Sequence, residues 1–335
     1  KAGEQPKREG VIKLNANENP YPPAPGVAEA IRGIPAEDLR KYPQADDLDL
    51  RRALALYHGL DVESVFAANG SDEAIALAFR SFFNSKKPIL FPGVTYSFYP
   101  VWCGLFGVPY RLVPLAKDFR ICVEDYAAEN GGVVLANPNA PTGLGLSLDE
   151  VEQLLALNPD AVVIVDEAYV DFGCASCIGL IAEHENLLVV QTFSKGRALA
   201  GIRLGAAFGS PALISVLNAV KNAFNSYPVD RVAAAAGIAS LADEAYFKMR
   251  AGQVAATRER TAASLREMGF FVTDSLANFL FVSREGTDAA ALQAYAKERG
   301  ILVRHFALPE TERFLRISVG TDAEMDRLLE IFSGY

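Results

Sequence analysis

Residues Val162-Val163-Ile164-Val165 set four β-branched side chains in a row, and the run ends on the carboxylate of Asp166. A strand wetted on one face alternates apolar and polar residues. An unbroken run of this kind reads as a strand buried on both faces, as in parallel sheets. Similar short apolar runs occur at residues 89–91, 133–136, 187–191 and 204–208, with helical patterns between them such as residues 148–157. The alternation predicts an α/β fold, a mainly parallel sheet flanked by helices. Near Asp230 the character changes. A helical tract rich in Ala, Glu and Arg spans 231–268, and short strands follow at 270–273, 279–282, 301–304 and 314–319. Helical segments at 289–299 and 323–332 complete what reads as a smaller α+β domain. The Pro-rich first forty residues are expected to pack against it, giving a large domain at 40–230 and a small one from 1–39 with 231–335.

Chemistry is expected at the strand ends, where open α/β sheets collect ligand groups. The strand at 187–191 runs into Ser194-Lys195, and Arg203 follows eight residues after the lysine. Burial disfavours an amine's charged form, so a lysine at the mouth of an apolar strand suits a carbonyl partner. The nearby hydroxyl and guanidinium suit a phosphate. Together they point to a Schiff-base lysine for pyridoxal phosphate, with Ser194 and Arg203 as part of its phosphate cup. A Ser-Lys pair after a strand is common by itself. Asp166 at the end of a second buried strand strengthens the reading, because a carboxylate there can hold a pyridine nitrogen protonated. A helix-starting aspartate would account for Asp166 alone but not for its pairing with Lys195. Tyr169, three residues on, can reach the ring's phenolic oxygen.

Other segments fit the same cofactor. Gly70-Ser71-Asp72-Glu73 precedes an apolar helical pattern, with Ser71 expected as N-cap. Free N–H groups at such a helix start bind anions, although an ordinary capped helix with two dipole-matching acids has the same sequence. Tyr96 follows a strand and can lie over a flat ring, while buried tyrosines more often serve packing. Asn139, in the turn-rich Asn137-Pro138-Asn139-Ala140-Pro141-Thr142-Gly143, is a candidate donor to the ring oxygen. Gly143 and Gly145 are followed by no third glycine, so a dinucleotide fingerprint fails. Arg304 and Arg316 lie at ends of small-domain strands. Each needs an anion there: a structural carboxylate, or the carboxylate or phosphate of a substrate held by a bidentate clamp.

Composition narrows the partners. The net charge of −9, with no offsetting Lys/Arg cluster, argues against nucleic acid. No run approaches 18 apolar residues, so no membrane span is expected, and the opening Lys1-Ala2-Gly3-Glu4-Gln5-Pro6-Lys7-Arg8 lacks a signal-peptide core. A cytoplasmic protein is expected. Cys174 and Cys177 have knuckle spacing, but no second close pair accompanies them, and His58, His184 and His305 are scattered. No metal is expected, and the cysteines are read as small buried or loop residues.

With these residues in hand, the chain resembles the fold-type I pyridoxal phosphate aminotransferases, and within them the histidinol-phosphate aminotransferase family. The likeness spans nearly the whole chain, from Leu14-Asn15-Ala16-Asn17-Glu18-Asn19-Pro20-Tyr21 and Arg40-Lys41-Tyr42-Pro43 to Leu315-Arg316-Ile317-Ser318-Val319-Gly320. The resemblance implies that Lys195 carries the cofactor, Asp166 pairs with its pyridine nitrogen, Tyr169 bonds its ring oxygen and Tyr96 stacks on it. It implies that Ser71 and Asp72 (through backbone N–H), Ser194 and Arg203 hold the phosphate. Tyr42 would reach the cofactor of a neighbouring subunit in a homodimer, and Arg304, Arg316, Tyr21 and Tyr227 would face the substrate. The implied reaction moves an amino group between histidinol phosphate and 2-oxoglutarate. An aromatic amino-acid aminotransferase and a phosphothreonine decarboxylase share most of these motifs, and a non-catalytic regulator would need a basic DNA-binding segment that is missing here. One departure stands out. Relatives commonly have Asn before Pro-Thr-Gly, where this chain has Ala140, so Asn139 must fill the role or leave it to Tyr169.

Overall fold

The computed structural model describes residues 4–5 and 10–335, and the expectations for residues 1–3 and 6–9 lie outside it. The large sheet has the strand order Val65–Ala68, Gly205–Gly209, Leu187–Thr192, Val163–Asp166, Val133–Ala136, Ile89–Pro92, Tyr110–Val113. The last five are mutually parallel. Gly205–Gly209 runs antiparallel to both of its neighbours, which makes the sheet mixed. Burial on both faces is visible residue by residue. Val163 and Val165 enter the core on one side of the sheet, and Ile164 enters the core on the other, all with no exposed area. Two strands of this sheet carried no expectation. Val65–Ala68 is too short and apolar to tell from a helix end. Tyr110–Val113 is an edge strand with only Val113 buried.

The second sheet is antiparallel, in the order Arg304–His305, Leu315–Ser318, Phe279–Arg284, Phe270–Val272. Leu265, Leu292 and Leu328, from helices Glu244–Glu267, Ala289–Glu298 and Asp322–Ser333, fill the core behind it. The single strand expected at 301–304 is divided. Ile301–Leu302 pairs in parallel with Ile12–Lys13, and Arg304–His305 joins the sheet. The helical tract is divided too. Asp243 ends Arg231–Ala242 and caps Glu244–Glu267 by accepting the N–H of Tyr246.

The amino-terminal segment serves both bodies. Ile12 and Leu14 join the small core, whereas Ala24 and Val27 pack with Ala233 and Ala236 in the core of the large sheet. The change of character at Asp230 therefore falls between elements that share one core. The parallel strands bring Pro92, Ala136, Asp166 and Thr192 to the same edge of the sheet, which is where the candidate site lies.

Candidate active site

The helix Ser71–Phe82 opens the site. Its N-cap is Gly70, at φ +82°, and no side chain caps it, so Ser71 is the first helical residue rather than the expected cap. A Cβ on Gly70 would lie 2.9 Å from Nη2 of Arg203, and one on Gly205 would lie 2.4 Å from the Ser71 nitrogen. Gly205 is needed for this close backbone approach, and Gly70 for its positive φ. They leave a concave cradle of helix-start N–H groups beside a guanidinium, the elements of a phosphate site. Nη2 of Arg203 is 3.8 Å from Oδ2 of Asp72, and Nη1 donates to the Ala200 carbonyl at 3.1 Å. Ser194 is buried nearby, its backbone N–H donated to Oγ1 of Thr192 at 3.1 Å.

Lys195 sits just beyond the strand Leu187–Thr192 and donates from Nζ to the Ala16 carbonyl at 3.1 Å. Its amine lies 5.8 Å from the centre of the Tyr169 ring. Nδ2 of Asn19 donates to the carbonyls of Lys195 and Gly196, at 3.0 and 3.2 Å, so the amino-terminal segment clasps the lysine turn. Asn17 donates from Nδ2 to the Tyr169 hydroxyl at 3.0 Å and takes the hydroxyl of Ser318 on Oδ1 at 3.1 Å. Neither asparagine stood out in the sequence beyond its place in a shared string. Asn17 at φ +53° is the local signal, since asparagine tolerates the left-handed region.

Asp166 ends its strand with 4% exposure. Its Oδ1 accepts the Ala168 N–H at 3.1 Å and its Oδ2 accepts the Tyr99 hydroxyl at 3.0 Å. Burial pushes its carboxyl up to about 7, against the pull of those two hydrogen bonds, and the negative charges of Asp72 and Glu167 push the same way. Tyr96 donates its hydroxyl to Oδ1 of Asp72 at 2.9 Å, and its ring is stacked by Phe98 at 5.6 Å. Burial and Asp72 raise the Tyr96 phenol, so it stays a donor.

Asn139 holds its loop to a neighbouring one. Its Nδ2 donates to the Val94 carbonyl and to Oγ1 of Thr142, and its Oδ1 accepts the Thr95 hydroxyl. Both amide hydrogens thus hold one strand-end loop to the next. Glu167 is engaged structurally as well, accepting Ser176, Cys177 and Gln191. The Cys174–Cys177 turn thus serves to satisfy a buried carboxylate, and all four cysteines are free thiols.

Arg304 and Arg316 are direct cross-strand partners. Arg316 is half-buried, with Nε buried and without a partner, and its Nη2 reaches the Asn15 carbonyl only at 3.5 Å. Burial lowers its affinity for a proton, and Arg304 adds to that, while Tyr169 and Tyr96 oppose it. The Arg316 guanidinium lies 5.4 Å from the ring centres of Phe279 and Phe306, and Phe279 is edge-on to Tyr169 at 5.0 Å. Tyr21 packs in the cluster that holds Tyr169 and Phe279, and the Arg250 guanidinium lies 4.7 Å from its ring centre. Tyr42 and Tyr227 stand apart from this group. They stack on each other at 4.7 Å, and Tyr42 is 79% exposed.

The donor set fits pyridoxal phosphate. The cradle that a Cβ would fill suits its phosphate, and the buried Asp166 has no ion pair among the described residues to offset its charge. The sequence matches the family described as aminotransferase class I and II over residues 9–332. It is 49% identical over 334 residues to the histidinol-phosphate aminotransferase of Lactococcus lactis subsp. cremoris, covering 100% of this chain and 94% of that one. It is 52% identical over 330 residues to histidinol-phosphate aminotransferase 1 of Bordetella parapertussis, covering 98% and 93%. The fold is similar to the crystal structure of histidinol-phosphate aminotransferase from Sinorhizobium meliloti in complex with pyridoxal-5'-phosphate. That likeness has a TM-score of 0.87 at 29% identity, covering 96% of this chain and 91% of that one.

Proposed function

Because this chain belongs to the class I and II aminotransferases, and within them to the histidinol-phosphate aminotransferases, we propose that it moves an amino group from L-histidinol phosphate to 2-oxoglutarate. The products are imidazole acetol phosphate and glutamate, the step belongs to histidine biosynthesis, and the cofactor is pyridoxal 5'-phosphate. The observation that carries the substrate reading is Arg316, whose Nε is buried without a hydrogen-bond partner and whose Nη2 reaches the Asn15 carbonyl only at 3.5 Å. A guanidinium so placed calls for an anion. A phosphate ester and a dicarboxylate both present such an anion, and a guanidinium can bind either in bidentate fashion.

When bound, the cofactor supplies an electron sink that acidifies the substrate's α-carbon. The residues of this chain do the rest. Lys195 would hold the cofactor, and its amine would move the proton at the substrate α-carbon. Asp166 keeps a proton at the pyridine nitrogen, and Tyr169, supported by Asn17, donates to the ring oxygen. The N–H groups of Ser71 and Asp72, the Ser194 hydroxyl and Arg203 hold the phosphate, and Tyr96 covers the ring.

The reading extends to a homodimer working in the cytoplasm. Tyr42 and Tyr227 form an exposed stacked pair, supporting a role for Tyr42 at a neighbour's cofactor. No helix among the described residues is long and apolar enough to cross a membrane. Incubation with histidinol phosphate and 2-oxoglutarate tests the reaction: glutamate should form in equal amount to imidazole acetol phosphate. Release of carbon dioxide from phosphothreonine, without transamination, would replace the reading with a decarboxylase.

A further inference from the structure

Tyr99 opens the helix Tyr99–Phe106 and has no exposed surface. Its ring is boxed by aromatic neighbours, edge-on to Tyr96 at 5.6 Å and to Phe91 at 5.8 Å, with Phe79 stacked at 6.3 Å. A phenylalanine would satisfy that box. The hydroxyl is a different matter, because a buried phenol without a partner costs about 1–3 kcal/mol. Here it donates to Oδ2 of Asp166 at 3.0 Å. With the Ala168 N–H on Oδ1, each carboxylate oxygen is tied to a donor on a different element, which fixes the rotation of the group.

The charge around Asp166 makes this contact matter. Asp72 faces it from the helix Ser71–Phe82 and Glu167 from its own chain, both acids, while the Tyr96 hydroxyl lies nearby and is held protonated by burial and Asp72. The neighbouring strands place Ala136 and Val190 beside it in register, and neither carries charge. Burial and both acids favour a proton on Asp166, and the two hydrogen bonds oppose it. Burial also raises the Tyr99 phenol, so it remains a donor throughout the working range.

We propose that Tyr99 is a positioning residue: its buried hydroxyl aims the Asp166 carboxylate and keeps it ionised, and so sets the acid limit below which the site loses its hold on the cofactor's ring nitrogen. The inference rests on the reading of Asp166 as the partner of that nitrogen.

The test uses the cofactor-stripped protein reloaded with pyridoxal phosphate between pH 5 and 9. Affinity is followed by quenching of Trp102, the only tryptophan, whose ring lies 6.2 Å from Tyr99. Tyr99→Phe should bind within about threefold of the unaltered protein at pH 8. Its acid midpoint should move up by roughly one pH unit, as loss of a hydrogen bond to a charged group requires. In an Asp166→Asn background the same change should move nothing further. Difluorotyrosine at position 99, a stronger donor of nearly the same shape, should move the midpoint down. Superposable acid limbs, or an equal shift in the Asp166→Asn background, would overturn the inference alone. Failure of the unaltered protein to bind the cofactor would overturn the proposed function along with it.

Discussion

Arg304 and Arg316 face each other across the ladder of the small sheet, and the Arg316 guanidinium lies 5.4 Å from the ring of Phe279, which is edge-on to Tyr169 at 5.0 Å. Loss of a bidentate contact to a charged group costs a few kcal/mol, roughly two orders of magnitude in kcat/KM. Arg316→Ala should weaken histidinol phosphate and 2-oxoglutarate together by about that factor. Arg304→Ala should weaken chiefly the phosphate ester. Steady-state kinetics with each substrate varied separately checks both, and unchanged constants for both substrates in Arg316→Ala would reduce that arginine to a structural cation.

Lys195→Ala should abolish turnover and the visible absorbance that depends on the lysine. Borohydride reduction of the unaltered protein should attach the cofactor to the peptide containing Lys195. Attachment elsewhere, or full activity of the variant, would remove Lys195 from its role.

Asp166 gives a pH prediction with a definite sign. Its folded carboxyl is raised from 3.8 to about 7, so in the cofactor-free protein it favours folding when protonated. That contribution is complete below about pH 4 and is lost as pH rises through 7. Asp166→Asn should therefore unfold at a higher temperature than the unaltered apoprotein at pH 8, by on the order of 1 kcal/mol or more. The difference should vanish near pH 4. With cofactor present, the same variant should transaminate on the order of 10³-fold more slowly. An equal stability gap at both pH values would mean that the carboxyl does not titrate as its burial implies.

Tyr42 should act across a subunit boundary. Mixing Lys195→Ala subunits with Tyr42→Phe subunits creates heterodimers with one intact site and one doubly altered site. Activity should rise above that of the Tyr42→Phe protein diluted to the same degree. No gain on mixing would confine Tyr42 to its own subunit or to no site at all.

The strand ends were legible because their signal is local. Four β-branched residues before Asp166, and an apolar run before Ser194-Lys195, each need only their own neighbours to be read. What escaped depends on long-range geometry. The hydrogen bond from Asn17 to Tyr169 joins residues 152 positions apart. Tyr99 reads as a core tyrosine until the carboxylate above it is seen. The bonds from Asn139 to Val94 and Thr142, which tie two loops together, are equally invisible in the local sequence. Gly70 displaced Ser71 as cap because Arg203 must come within reach of that turn, a need invisible without the strand that delivers it. The stretch 301–304 reads as one strand because its apolar pattern is continuous, yet its halves pair with different partners.

The most direct measurement compares kcat/KM for L-histidinol phosphate, phenylalanine and phosphothreonine, with 2-oxoglutarate as acceptor and one preparation of cofactor-loaded protein. A phosphate ester offers Arg304 and Arg316 three oxygens and up to two charges where phenylalanine offers a single carboxylate, so histidinol phosphate should lead phenylalanine by about 10²-fold or more. Phosphothreonine should give no transamination product at a comparable rate. Equal or faster turnover of phenylalanine, or preferential decarboxylation of phosphothreonine, would contradict the account.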